Sequence, residues 1–265
     1  MSDDILEIGG MQTPYFRNAE FSAILMECER NLIEIANAPR GSRVIFLTSS
    51  GTGAMESAVG NLLGPEDTAL VLNGGSFAQR FVDICLAHAI KYIDYRIHNT
   101  NLSDTSMIPV PRGTTALLSN GHETSIGVLY DLEAVGKFCR QNDLLNIVDA
   151  ISMFITDEVD MMRQNIDVLI LSSHKGLAVQ PGIGMVILSP RALERVNESP
   201  NKLYFDFNLY LKDGMRGQTP FTPAVTVVLQ LQKRLQNIIH EGLPAQIKKA
   251  RDVALYFRQG ISGMP

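Results

Sequence analysis

Residues Asn146 to Val186 read NIVDAISMFITDEVDMMRQNIDVLILSSHKGLAVQPGIGMV. One apolar run closes on an acid at Asp149, and a second, Val168 to Leu171, closes on Ser172-Ser173-His174-Lys175-Gly176. Short runs that are apolar on both faces mark buried parallel strands, and open α/β sheets place their ligands at the carboxyl ends of such strands. The two runs therefore deliver an acid and a lysine to one edge of a sheet. Taken singly, the lysine reads as a solvated loop residue and the acid as a helix cap. Taken together they are an amine and a carboxylate converging on one site.

That pair is what pyridoxal phosphate requires: an amine to form a Schiff base and a carboxylate to keep the pyridine nitrogen protonated. Working outward, further strands are expected at Val44 to Leu47, Ala69 to Leu72, Tyr92 to Ile97, Ala116 to Ser119 and Gly184 to Leu188. With Asn146 to Asp149 and Val168 to Ser172 they make a seven-stranded sheet, mainly parallel because helical patterns alternate with the strands. The helices are expected at Glu20 to Ile35, Ala54 to Leu63, Phe77 to Ala89 and Leu132 to Gln141, with a shorter piece at Glu158 to Arg163. The first carries an apolar stripe of Phe21, Ile24, Leu25, Cys28, Leu32 and Ile35. Beyond Pro190 the pattern is mainly helical, with long helices from Pro223 to Glu241 and Pro244 to Gln259.

Composition bounds the function. The 265 residues are 45% hydrophobic and 19% charged, with a formal net charge of −5. This is a globular chain with no electrostatic reason to bind nucleic acid or an anionic membrane. Cys28, Cys85 and Cys139 fall in helical patterns without metal-ligand spacing, so neither a disulfide framework nor a metal site is expected, and a cytoplasmic setting fits. The opening MSDDILEIGG is acidic and too short in apolar length for a signal peptide.

Three strand ends carry further chemistry. The first leads into Ser50-Gly51-Thr52-Gly53-Ala54-Met55-Glu56, small residues at a helix start where free N–H groups can cradle a phosphate. It is neither a Walker A loop nor a dinucleotide fingerprint. The second ends in Asn73-Gly74-Gly75-Ser76-Phe77-Ala78-Gln79-Arg80, where Phe77 either lies on a flat ring or is simply the first core residue of its helix. The fourth ends in His122-Glu123-Thr124-Ser125-Ile126-Gly127, a polar loop whose His122 and Glu123 are equally readable as satisfied structural residues.

These blocks, with Val148-Asp149-Ala150 and Ser173-His174-Lys175-Gly176 before Pro181-Gly182, resemble the class V aminotransferases, which are pyridoxal 5'-phosphate enzymes of fold type I. Within that family the chain is most similar to the 2-aminoethylphosphonate:pyruvate and the serine/alanine:glyoxylate transaminases. The resemblance runs from about Asn18 to Arg258. It implies a Schiff base on Lys175, Asp149 at the ring nitrogen, Gly51, Thr52 and Gly53 around the phosphate, Phe77 on the ring, Thr124 in contact with the cofactor, and His174 on the phosphate side. Thr222, in Thr219-Pro220-Phe221-Thr222-Pro223, matches a threonine that reaches the cofactor of the other subunit, so a homodimer with shared active sites is implied.

The implied reaction is a ping-pong transfer of an amino group from 2-aminoethylphosphonate or a small amino acid to pyruvate or glyoxylate. A lyase or cysteine desulfurase of the same fold, and a non-catalytic binding protein, are the alternatives; Phe77 and the helical positions of the cysteines favour the transaminase. Residues 1–20 are expected to form a short N-terminal segment, 21–243 the cofactor-binding large domain, and 244–265 a helix leading into a small domain that is truncated or missing, together with its carboxylate-binding arginine. Arg17, Arg30 and Arg40 read as solvated or capping residues, with Arg17 placed to approach the site, and Met161-Met162 as packing beneath the loop before the Lys175 strand.

Overall fold

The computed structural model describes residues 1–98, 100–196 and 202–263. The elements run α1 (Asp3–Gly9), α2 (Ala19–Ile35), β1 (Arg43–Thr48), α3 (Gly51–Leu62), β2 (Thr68–Asn73), α4 (Ser76–Ala87), β3 (Lys91–Arg96), β4 (Ala116–Asn120), β5 (His122–Glu123) and β6 (Val128–Leu129). They continue with α5 (Leu132–Gln141), β7 (Leu145–Asp149), β8 (Val168–Ser172), β9 (Ile183–Leu188), α6 (Pro190–Leu193), α7 (Phe207–Gly214), α8 (Val225–Glu241) and α9 (Leu243–Ile261). Each expected strand is present, within about a residue at either end.

Seven strands form one sheet in the order β1-β9-β8-β7-β4-β2-β3, while β5 and β6 make a separate hairpin. β7, β8, β4, β2 and β3 pair in parallel, and β9 is antiparallel to both β8 and β1. All sheet strands except β9 therefore point the same way, and their carboxyl ends share one edge. The strands read as continuous apolar runs because both faces are covered. Alternate residues feed opposite cores: Val148, Leu169 and Leu171 pack with α2 and α8, while Ile147, Val168 and Ile170 pack with α3, α4 and α7. A third cluster sets Leu70, Leu72 and Leu117 against Val135, Phe138 and Cys139 of α5.

Local chemistry sets the helix starts. Asn18 accepts from the Phe21 N–H, Ser50 from that of Gly53, and Asp131 from those of Glu133 and Ala134, three side-chain caps at the beginnings of α2, α3 and α5. Within residues 1–20, α1 docks on α8 with Ile5 buried and its carbonyl accepting from Gln230.

The stretch Glu158 to Arg163 is not helical. The N–H groups of Met161 and Met162 bond to the carbonyls of Ala36 and Asn37 at the end of α2, and Asp160 accepts from the Arg163 N–H, so neighbours and side chains take the bonds a helix needs. Met161 is buried as expected, but Met162 faces solvent at 56% exposure, because only one side of this turn meets the core.

Candidate active site

The shared strand edge gathers the residues singled out in the sequence. Asp149 closes β7 and Asn120 closes the adjacent β4 at the paired position, so Asn120 Nδ2 donates to Asp149 Oδ2 at 2.9 Å. The Ile151 N–H donates to Asp149 Oδ1 at 2.9 Å. The carboxyl is 7% exposed, and no lysine, arginine or histidine among the described residues forms an ion pair with it. Burial pushes the Asp149 pKa up to about 6, against the pull of its two hydrogen bonds and the Arg80 charge; the Glu123 charge adds to the push.

The helix start of α3 lies beside this acid. A Cβ on Gly51 would stand 2.5 Å from Ile151 Cδ1 and 3.4 Å from Ser172 Cβ, so the small residue lets the cradle approach the ends of β7 and β8. Thr52 is tied to the neighbouring strand end, since Arg80 Nη1 donates to its Oγ1 at 3.1 Å while the Arg80 guanidinium lies 4.7 Å over the Phe77 ring. Gly53 gives its N–H to the Ser50 cap.

The residues after β8 complete the edge. Ser172 Oγ sits 3.0 Å from His174 Nδ1, which fixes the imidazole plane. Partial burial and the neighbouring Lys175 charge lower the His174 pKa, favouring the neutral ring. Lys175 is exposed and its amine has no hydrogen bond or ion pair among the described residues. Thr222 is placed at the same edge within this chain, where Thr48 Oγ1 donates to its carbonyl and accepts from the Ala224 N–H. Thr124 is exposed in the loop between β5 and β6, lining a cleft of about 740 Å³ with His122, Asp157 and Arg251. His122 Nε2 lies 3.0 Å from Asp157 Oδ2, and the other carboxylate oxygen takes Arg251 of α9.

Asn120 and Arg80 had no role in the sequence reading. Asn120 orients the acid, and pairing β4 with β7 end to end would have exposed it. Arg80 links the cradle to Phe77, and its place one helical turn after Phe77 was the available signal. Glu123 is fully buried and accepts from the start of α4, a contact without any local sequence sign. Arg17, expected near the site, donates to the carbonyls of Thr219 and Pro220 and so anchors the segment leading to Thr222.

The family model described as Aminotransferase class-V matches residues 11–203. Among similar curated proteins is the soluble hydrogenase 42 kDa subunit of Anabaena cylindrica, 30% identical over 86% of this chain and 61% of its own length. Another is 2-aminoethylphosphonate–pyruvate transaminase 2 of Burkholderia lata, 28% identical over 85% of this chain and 61% of its own. The chain thus spans about three fifths of the length of these relatives. The solved aspartate aminotransferase of subgroup IV from Thermus thermophilus superposes on 100% of the chain and 75% of its own, with a TM-score of 0.87 and 30% identity. Matched across most of its length by the family model and sharing its fold with a solved aminotransferase, the chain belongs to the class V aminotransferases.

Proposed function

We propose that this chain is the cofactor-binding core of a pyridoxal 5'-phosphate-dependent aminotransferase, with 2-aminoethylphosphonate or a small amino acid as amino donor and pyruvate or glyoxylate as acceptor. The observation that carries the reading is Asp149: a carboxyl buried without an ionic partner, on the same strand edge as the unengaged amine of Lys175. Such an acid is costly unless a cation is supplied to it, and a protonated ring nitrogen is that cation. The α3 start suits the phosphate, because a Cβ at Gly51 or Gly53 would press on Ile151 or Ser49. Phe77 offers a face for the ring.

When bound, the cofactor supplies the aldehyde for amine exchange and the electron sink for the donor carbon. The residues of the chain do the rest. Asp149 would hold the proton at the ring nitrogen, Asn120 and the Ile151 N–H orient Asp149, and Lys175 Nζ would take the proton from the donor carbon and deliver it to the carbon of the cofactor's former aldehyde group. His174, held by Ser172, stands beside Lys175 as a neutral group. Transfer in two half-reactions follows from one amine site serving donor and acceptor in turn.

Thr222 is assigned to the cofactor phosphate of a partner subunit, in a cytoplasmic homodimer with shared sites. Residues 21–243 form the cofactor-binding domain, preceded by the segment 1–20. The stretch 244–265 is read as leading into a small domain, because α9 exposes Leu255, Tyr256 and Phe257; residues 264 and 265 lie outside the described residues.

The test is borohydride trapping. With pyridoxal 5'-phosphate present, reduction should fix the cofactor's mass on the peptide containing Lys175, and Lys175→Ala should take up none. Adding 2-aminoethylphosphonate, alanine, serine or aspartate before the reductant should release the label for the true donor. Equal labelling of several surface lysines with no preference for Lys175 sinks the assignment.

A further inference from the structure

Helix α4 begins without a cap of its own. Its N-cap residue is Gly75, which has no side chain to accept from the first turn. The unpaired N–H groups of that turn must find acceptors elsewhere. They find them on one loop: the Ser76 N–H donates to Ser125 Oγ at 3.1 Å, the Phe77 N–H to Glu123 Oε1 at 3.4 Å and the Ala78 N–H to Glu123 Oε2 at 2.9 Å. Ser125 closes the set by donating its hydroxyl to Glu123 Oε1 at 2.6 Å and its N–H to the same oxygen at 3.2 Å.

This arrangement needs both an acid and a glycine. Glu123 is fully buried and forms no ion pair among the described residues, so its charge is balanced by backbone N–H groups and the positive end of α4. The approach is possible only because Gly75 lacks a Cβ, which would stand 2.7 Å from Glu123 Cδ and 2.3 Å from Ser125 Oγ. A serine or aspartate at position 75 would cap the helix more simply. The sequence instead uses a residue 48 positions away on another element, and the cap then does two jobs. It fixes the turn that carries Phe77, and it holds the loop that carries Thr124 between Glu123 and Ser125.

We infer that Glu123 is a positioning residue, a cap donated in trans that locks the Phe77 ring and the Thr124 loop into one rigid unit. The inference rests on the proposed function for the statement that Phe77 faces a cofactor, but not for the coupling itself. Glu123 acts through Phe77 and touches no reacting atom.

The experiment is a double-mutant cycle read in two ways. Glu123→Gln retains the shape, but its amide nitrogen must face either the Ala78 N–H or the Ser125 and Phe77 donors with a donor of its own, so one side of the shared cap is lost. In otherwise wild-type protein, Glu123→Gln should weaken pyridoxal 5'-phosphate binding about tenfold, while in a Phe77→Leu background the same change should have an effect of less than about twofold. The second reading needs no cofactor. The chain has no tryptophan, so Phe77→Trp installs a single reporter, and adding Glu123→Gln should red-shift its emission and lower its anisotropy in the absence of any ligand. Glu123→Asp, which keeps the charge but loses reach, should fall between the two, and it serves as the test variant if Glu123→Gln does not fold. Equal losses of affinity in both backgrounds, with unchanged reporter emission, would overturn the inference. If the wild type binds no pyridoxal 5'-phosphate, the proposed function fails, and the reporter alone then decides whether Glu123 fixes position 77.

Discussion

Asn120 and Asp149 end adjacent parallel strands, and the only hydrogen bond that Asn120 Nδ2 makes to the acid, 2.9 Å long, leaves Asn120 Oδ1 buried without a partner among the described residues. The amide is thus turned so that its donor meets a carboxylate, which commits Asp149 to accepting at both oxygens.

Stability without cofactor should depend on Asp149. Its folded pKa of about 6 lies above the ordinary 3.8, so the folded state binds the proton more tightly than the unfolded one. The sign is therefore the reverse of a salt-bridged acid: stability falls as pH rises from about 4 through about 6, by on the order of 3 kcal/mol for this group. Asp149→Asn removes the titration, and a flip of Asn120 supplies the new amide with an acceptor. Urea unfolding of cofactor-free wild type and Asp149→Asn at pH 4.5 and 7.5 checks this. The mutant should gain on the wild type as pH rises; a difference that is flat or opposite in slope refutes it.

The sheet was readable because β2, β4, β7, β8 and β9 are buried on both faces, and uninterrupted apolar runs such as Leu169-Ile170-Leu171 have few other uses. Site residues that end a strand, Asp149 above all, were readable by position. What the sequence hid was pairwise: Asn120 turned toward Asp149, and Glu123 capping a helix in trans, are contacts between residues far apart in the chain. The expected helical piece at Glu158 to Arg163 failed for a related reason, since the carbonyls of Ala36 and Asn37 that capture its N–H groups lie more than a hundred residues away.

Arg80→Lys should weaken the cofactor more than the fold. Arg80 is exposed, stacks on Phe77 and donates to Thr52. A lysine keeps the charge but loses the planar stack and the forked donors. Pyridoxal 5'-phosphate affinity, followed by absorbance titration, should drop about tenfold, while unfolding stability should change by less than about 0.5 kcal/mol, as for other exposed positions. Unchanged affinity would remove Arg80 from the site.

The three thiols should be unreactive in the native fold. Cys28, Cys85 and Cys139 are buried in α2, α4 and α5, and burial raises each thiol pKa, that of Cys85 to about 12. A thiol held neutral is a poor nucleophile. Titration with an aromatic disulfide reagent at pH 8 should therefore find none of the three until denaturant is added, and all three afterwards. One fast-reacting thiol in the native protein would revive the desulfurase alternative, which requires a mobile, ionised cysteine.

Gly176→Ala tests the placement of Lys175 without touching the amine. A Cβ at position 176 would lie 2.1 Å from the Phe154 carbonyl oxygen, and a backbone atom cannot swing aside as the end of a side chain can. The turn after β8 is otherwise tightly defined: Ser173 bonds the Gln180 carbonyl at 2.6 Å and the Ala178 N–H bonds the Lys175 carbonyl at 2.8 Å. The extra methyl must push residues 175–177 away from the 153–156 turn, at a cost of about 1–3 kcal/mol typical of overpacking. Because the shift starts at the residue next to Lys175, trapping of pyridoxal 5'-phosphate on that lysine should slow by far more than the stability loss accounts for. Far-UV circular dichroism with the borohydride assay separates the two effects. A variant that is destabilised yet labels at the wild-type rate would show that Lys175 finds its position independently of the packing beneath Gly176.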